Sequence, residues 1–503
     1  MKPSSIIKDI LSAKIYDLAV ETPLNKAFKI SKSTNNHIYL KREDLQGVFS
    51  FKIRGAYNKM RKLDKGTLQR GVIAASAGNH AQGVAQSAKH LNIPATIVMP
   101  TTTPQIKIDS VIEKGAEVIL YGDNFDQACL KAFEIQKSRG LSFIHPYDDW
   151  DVIAGQGTIG VEILKQLNDE PDFIFIPVGG GGIAAGIATF TKYLSPHTKI
   201  IAVECEDSAC FQAAFQKGEP VQLSEVGIFA DGIAVGKIGN KTFELMKDNI
   251  DEAITVSTDE ICSSIKTIFE ETRVVAEPAG ATALAGVVKY IKENNLQNKR
   301  IVTIISGANT SFGRLRHISE RTELGSEKEA LFAISIPEEK GSFRRFCQLL
   351  EDSSITEFNY RYNNPKKAQL FVGIELKNGD ESRLGIINNF KKSEIDYIDL
   401  SHNEIAKLHL RHMLGGQVKV EDEHFYRVQF PEKPGALLRF LNDLGSEFNI
   451  SLFHYRNHAS AHGRVFLGIQ HHDSQYIEDQ LKKIAYPYFP EDQNPACRLF
   501  TRN

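Results

Sequence analysis

Four short segments carry residue types that do chemistry in combination. In SFKIRGA, Ser50 to Ala56, Lys52 sits between apolar neighbours. An ammonium is costly to bury, so this lysine is neutral, engaged in a Schiff base, or snorkelling to water from a helix start. In GGGGIAAG, Gly179, Gly180, Gly181 and Gly182 follow the apolar run FIFIPV, and Ile183 begins a helical pattern. Bare backbone N–H groups can converge there on an anion at a positive helix end, and phosphate is the natural guest. A second reading stays open, because Gly180, Gly182 and Ala185 satisfy a loose dinucleotide pattern with Glu204 about 20 residues on. The third segment, SAGNHAQG, joins a strand to a helix. Its Ser76, Gly78, Asn79 and His80 supply donors suited to a carboxylate, the Asn79 amide suits a phenolate-like oxygen, and a plain N-cap explains the same residues. The fourth, SGANTSF, offers Ser306 as a neutral hydrogen-bond partner.

Something must bring these segments together. From Gly71 to Ser306 short apolar runs (GVIAAS, ATIVMP, EVILYG, FIFIPV, KIIAVE, RIVTIIS) alternate with helical periodicity. Strands apolar on both faces and separated by helices predict parallel sheet covered on each side. Ligands of such sheets bind beyond the carboxyl ends of the strands, where the second, third and fourth segments fall.

The balance of the chain narrows the partners. With 503 residues, 60 Lys+Arg against 62 Asp+Glu and 42% hydrophobic residues, it is long enough for about three folded units and has no global field for nucleic acid or an anionic membrane. Six scattered cysteines predict a reducing, cytoplasmic setting, and no apolar run is long enough for a membrane span. The 15 histidines show no metal-ligand spacing, so no metal is expected.

Beyond a charged stretch at Ile318 to Ala330, read as a boundary, the chain repeats itself. Pro337, Gly341, Arg345 and Phe346 recur as Pro431, Gly435, Arg439 and Phe440; Phe358, Tyr360 and Arg361 recur as Phe453, Tyr455 and Arg456. Each copy reads as most of a βαββαβ ferredoxin-like unit, with AKLHLRHML between them as a linking helix. The expected domains are 1–320 (catalytic), 331–403 and 424–503 (paired α+β units).

Lysine loop, asparagine loop, glycine run and terminal serine, in that order, resemble the fold-type II pyridoxal-phosphate enzymes of the tryptophan synthase β group. KREDLQGVFSFKIRGAYN, AASAGNHAQGVA, PVGGGGIAAG, AVECEDSAC, EPAGA and SGAN match the threonine/serine dehydratase branch, and the doubled tail with FPEKPGALLRFLNDLG and NISLFHYR is similar to the biosynthetic threonine dehydratase (threonine ammonia-lyase) family. The resemblance implies an α/β catalytic domain followed by two ACT-like regulatory units. It implies pyridoxal 5'-phosphate on Lys52, Phe51 against the cofactor ring, Asn79 at the phenolic oxygen, Gly179 to Gly182 and Ile183 around the phosphate, and Ser306 at the ring nitrogen. It further implies β-elimination from L-threonine, with L-serine as the alternative substrate. Isoleucine would be the effector and valine an antagonist, acting through Gly341, Tyr360, Arg361, Gly435, Tyr455 and Arg456 in a homotetramer. Two departures from sister enzymes stand out: Ala77 replaces the second serine that racemases of this fold use, and Cys210 stands where a cation-binding Asp would follow Glu204.

Overall fold

Two sheets build the first unit, Met1–Phe312, in the computed structural model; the second unit is Gly313–Asn503. The described residues are 3–325, 328–337, 346, 349–350, 355–360, 366–410, 422–431, 443–444, 449–456, 462–484 and 486–501. The larger sheet has six strands in the order β1 (Leu24–Lys26), β2 (His37–Arg42), β10 (Arg300–Ile305), β7 (Phe173–Pro177), β8 (Lys199–Cys205), β9 (Glu252–Val256). All pair in parallel except the edge strand β1, which runs antiparallel to β2. The smaller sheet is wholly parallel, in the order β5 (Glu117–Leu120), β4 (Ala95–Met99), β3 (Val72–Ala75), β6 (Ser142–Phe143). The apolar runs of the sequence therefore divide between two sheets, three to each. Ile174, Ile176, Ile200, Val302 and Ile304 of the larger sheet pack with Ala184 and Ile187 from the helix Gly182–Leu194. β5 is only half-buried, as an edge strand can be, although its sequence is as apolar as the others.

SFKIRGA is a helix start rather than a loop: Lys52 is the first residue of the helix Lys52–Arg61. Its next turn is fixed by charge. The Arg54 guanidinium, fully buried, donates to Glu43 and to Glu162, and Glu162 also accepts from buried Lys41 at 2.6 Å. Removing one partner of such a buried set typically costs about 3–5 kcal/mol, because the others keep their charge without water. The lysine thus sits on a helix that cannot easily shift.

In the second unit each repeat forms a four-stranded antiparallel sheet. The orders are β12 (Ile355–Tyr360), β13 (Lys367–Glu375), β11 (Glu329–Pro337), β14 (Asp396–Asp399), and β16 (Asn449–Arg456), β17 (His462–Gln470), β15 (Glu423–Pro431), β18 (Tyr488–Pro490). Counted within each copy this is the order 2-3-1-4 that a βαββαβ unit requires. Phe371 on β13 and Phe466 on β17 meet in one core cluster with Leu331, Phe425, Ile405 and Cys497, so the two copies pack on each other. The charged boundary stretch is not a linker: a helix spans Arg314–Gly325, with Ile318, Arg321 and Thr322 buried and Arg321 paired to Glu404 at 2.5 Å. The linking helix is short, Glu404–Leu408, capped by Asn403, and AKLHLRHML leaves the described residues after Leu410.

Candidate active site

Each predicted segment lies at the carboxyl end of a strand or at a helix start, and most of them meet in one cleft. Phe51, Lys52, Asn79, Gly179 to Gly182, Ile183 and Ser306 line it together, with an empty volume of about 450 Å³ counted to its mouth. Helices start at four of its walls: at Lys52, at Asn79, at Gly182 and at Pro278. The first N–H groups of a helix have no acceptor within it, so the cleft gathers donors and positive helix ends.

The glycine run shows why side chains are absent from it. A Cβ on Gly180 would lie 2.2 Å from the Tyr147 ring, and Gly181 holds φ +90° as it turns the chain from β7 into the helix. The dinucleotide alternative fails at Glu204. That carboxylate is fully buried outside the cleft lining, and accepts from the N–H groups of Phe211 and Gln212 at 2.8 and 2.7 Å at the start of the helix Cys210–Lys217. Burial raises it to about 7 despite those bonds. The Cys210 thiol donates to the carbonyl of Gly179 at 3.5 Å, so the residue at the would-be cation position is engaged with the glycine run.

Lys52 Nζ donates to the carbonyl of Pro146 at 3.1 Å and lies 5.2 Å from the centre of the Phe51 ring. Desolvation lowers its pKa to about 8, while the nearby Glu277 carboxylate pulls the other way. A neutral amine, the form that attacks carbonyls and accepts protons, is thereby populated near neutral pH. Asn79 donates to Glu277 at 2.6 Å and accepts from Asn309 at 2.7 Å. Ser306 is buried and donates to the Ala279 carbonyl at 3.3 Å.

Three of the carboxylate candidates fall differently from expectation. Ser76 and Gly78 lie outside the cleft lining, and the Ser76 hydroxyl accepts from the Gly78 N–H at 3.2 Å. The His80 ring is buried, bonded to the Ile144 carbonyl at 2.7 Å, and held down to about 3 by burial and by Lys52. Its imidazole is neutral and turned to the protein, leaving only its backbone for a ligand. Sequence reasoning missed Glu277, Tyr147 and Ile233, which line the cleft; for Glu277 the signal was the EPAGA segment, quoted without a role. Among the regulatory candidates, Tyr360, Tyr455 and Arg456 lie at the ends of β12 and β16, whereas Gly341, Arg361 and Gly435 lie outside the described residues.

Cleft and tail both have known counterparts. Residues 15–307 match the family described as pyridoxal-phosphate dependent enzyme, and residues 320–410 and 414–501 each match the C-terminal regulatory domain of threonine dehydratase. The chain is 50% identical to the biosynthetic L-threonine dehydratase IlvA of Escherichia coli over 98% of its length and 96% of that protein. It is 47% identical to the Burkholderia multivorans protein of the same name, over 99% and 100%. Among solved structures, processed threonine deaminase isoform 2 from Solanum lycopersicum superposes with a TM-score of 0.63 at 48% identity, covering 64% of this chain and 93% of that one. A serine racemase from Dictyostelium discoideum gives 0.57 at 31%, covering 61% and 99%. The cleft supplies a half-buried lysine, a side-chain-free glycine cup at a helix start and a neutral serine, which fit a phosphorylated pyridine aldehyde. With similarity running through cleft and doubled tail alike, the chain belongs to the biosynthetic threonine dehydratase family of pyridoxal-phosphate-dependent enzymes.

Proposed function

We propose that this chain converts L-threonine to 2-oxobutanoate and ammonia as a step of isoleucine biosynthesis, and that isoleucine restrains it through the paired C-terminal units. The observation that carries the reading is the convergence of Lys52, the glycine run, Asn79 and Ser306 on one cleft, in a chain similar end to end to biosynthetic threonine dehydratases. Lys52 would hold the cofactor covalently, Gly179 to Gly182 and the Ile183 amide would hold its phosphate, Phe51 would cover the ring, and Asn79 and Ser306 would meet the phenolic oxygen and the ring nitrogen. When bound, the cofactor supplies an electron sink for the bond broken at the substrate's α-carbon.

The chain's own groups do the rest. Lys52, displaced by the substrate amine, takes the α-proton, for which its lowered pKa suits it. The loop from Ser76 to His80, through backbone N–H groups that include that of Asn79, receives the substrate carboxylate. Ser306 offers a hydroxyl where a carboxylate would favour a charged ring nitrogen, and this disfavours a long-lived carbanion and favours prompt loss of the β-hydroxyl. One water leaves in that elimination and one is taken up when the released enamine hydrolyses, so threonine yields 2-oxobutanoate and ammonia. The finer partners belong to the same proposal: valine as antagonist of isoleucine, a homotetramer, and a cytoplasmic setting. Among the described residues no helix is long and apolar enough to cross a membrane.

The test is turnover of L-threonine and L-serine by the loaded protein and by Lys52→Ala. Threonine is expected to be preferred, within the roughly 10- to 200-fold that one methyl group can supply, and Lys52→Ala is expected to be inactive yet folded. Serine preference would move the assignment to an L-serine dehydratase; Lys52→Ala turnover within tenfold of the parent would remove Lys52 from its role.

A further inference from the structure

The strongest unassigned feature is the pair of side chains that grips Asn79. A carboxamide looks alike from both ends, and only its partners decide which end is the donor. Here the partners decide it unambiguously. Glu277, as a carboxylate, can only accept, so the Asn79 nitrogen faces it, at 2.6 Å. Asn309 offers its own Nδ2 to the Asn79 oxygen at 2.7 Å, and the same Nδ2 donates to the carbonyl of Val48 at 2.9 Å, which fixes Asn309 in turn. A flipped Asn79 would set oxygen against carboxylate and nitrogen against nitrogen.

The surroundings hold this arrangement firmly. The loop after β10 is stitched to the segment that precedes Lys52: the Phe51 N–H donates to the Ser306 carbonyl at 3.2 Å, and the Ala308 N–H to the Phe49 carbonyl at 2.9 Å. Glu277 occupies the N-cap position of the helix Pro278–Asn294, its side chain not spent on capping, and lines the cleft with Lys52 and Asn79. One carboxylate thus touches the asparagine and is the nearby negative charge acting on the lysine. With one N–H spent on Glu277, Asn79 retains a second for an anionic oxygen in the cleft.

We infer that Glu277 and Asn309 are positioning residues of this site, which together fix the donor end of the Asn79 carboxamide toward the bound cofactor. The inference rests on the proposed reading of the cleft. A charge-assisted hydrogen bond contributes about 1.5–3 kcal/mol, so releasing the grip should weaken cofactor binding by roughly ten- to hundredfold.

The experiment measures pyridoxal-phosphate affinity by equilibrium dialysis, and the visible absorption band of the loaded protein, for the parent, Glu277→Gln, Asn309→Ala, Asn79→Ala and the pair Asn79→Ala/Asn309→Ala. Glu277→Gln keeps size and shape but loses both the enforced orientation and the negative charge near Lys52, whereas Asn309→Ala leaves that charge in place and so isolates the orientation. Both single changes are expected to weaken binding and shift the band, and Asn309→Ala is expected to add little once Asn79 is already alanine. Parent-like affinity and band in both single variants would overturn the inference. So would an Asn309→Ala effect of equal size with and without Asn79, because Asn309 would then act by another route. A parent protein with no visible band would instead overturn the reading of the cleft itself.

Discussion

At the scale of single residues, the account turns on an amine whose neutral form desolvation makes more accessible. Lys52 starts from an ordinary lysine value of 10.5 and is lowered to about 8, chiefly by desolvation, with Glu277 opposing. Below about pH 8 the ammonium dominates, and each further unit of acid lowers the reactive neutral fraction about tenfold. Uptake of pyridoxal phosphate by the stripped protein, followed by stopped-flow absorbance, is therefore expected to speed up with rising pH and level off just above 8. A rate still climbing steadily past pH 10 would mean an ordinary exposed lysine. Lys52, the glycine run, Asn79 and Ser306 were legible because each belongs to a local strand-to-helix pattern whose chemistry shows in a few neighbouring letters. Glu277 was not legible. Its part comes from a contact with Asn79 across 198 positions, and in the sequence it is one more acid before a proline. Where the His80 ring points was not legible for a related reason, since its bond to the Ile144 carbonyl spans 64 positions.

Among the elements, the turn from β7 into the helix Gly182–Leu194 carries the sharpest steric demand. Gly180→Ala places a methyl 2.2 Å from the Tyr147 ring carbons, whereas Gly47→Ala meets nothing within 4 Å. Overpacking of this kind costs about 1–3 kcal/mol, so Gly180→Ala is expected to bind pyridoxal phosphate roughly 5- to 150-fold more weakly while Gly47→Ala binds as the parent does. Equal affinity for Gly180→Ala and the parent, in equilibrium dialysis, would remove the glycine run from the phosphate site. The six apolar runs of the sequence all became strands, five of them because a strand buried on both faces has an unmistakable composition, and β5 as a half-buried edge of equally apolar sequence. β2 and β9 escaped notice, as HIYLKR and EAITV mix charge or threonine with apolar residues. Which strands share a sheet was also hidden, since the division depends on pairings such as Arg300 with His37, far apart in the chain.

For the whole molecule, the cleft belongs to one unit and the doubled tail to the other. The first unit closes at Phe312, while the helix Arg314–Gly325 buries Ile318 and Arg321 in the second. A chain ending at Phe312 is expected to keep threonine turnover and lose its response to an isoleucine titration. A coupling of about 1–3 kcal/mol in the full chain would change substrate affinity roughly 5- to 150-fold. Equal inhibition of both forms would place the inhibitor in the catalytic cleft. The repeat itself was plain in the sequence, because recurring Pro, Gly, Phe and Arg at matched spacing survive without any knowledge of packing. The packing of the copies through Phe371 and Phe466 joins residues far apart in the chain and leaves no local mark in it. The central claim, that Lys52 carries the cofactor in this cleft, is tested most directly by borohydride reduction of the loaded protein followed by peptide mapping. The expected result is a single reduced pyridoxyl adduct on Lys52, lost in Lys52→Ala; an adduct on another lysine, or none in a protein that turns over threonine, would contradict it.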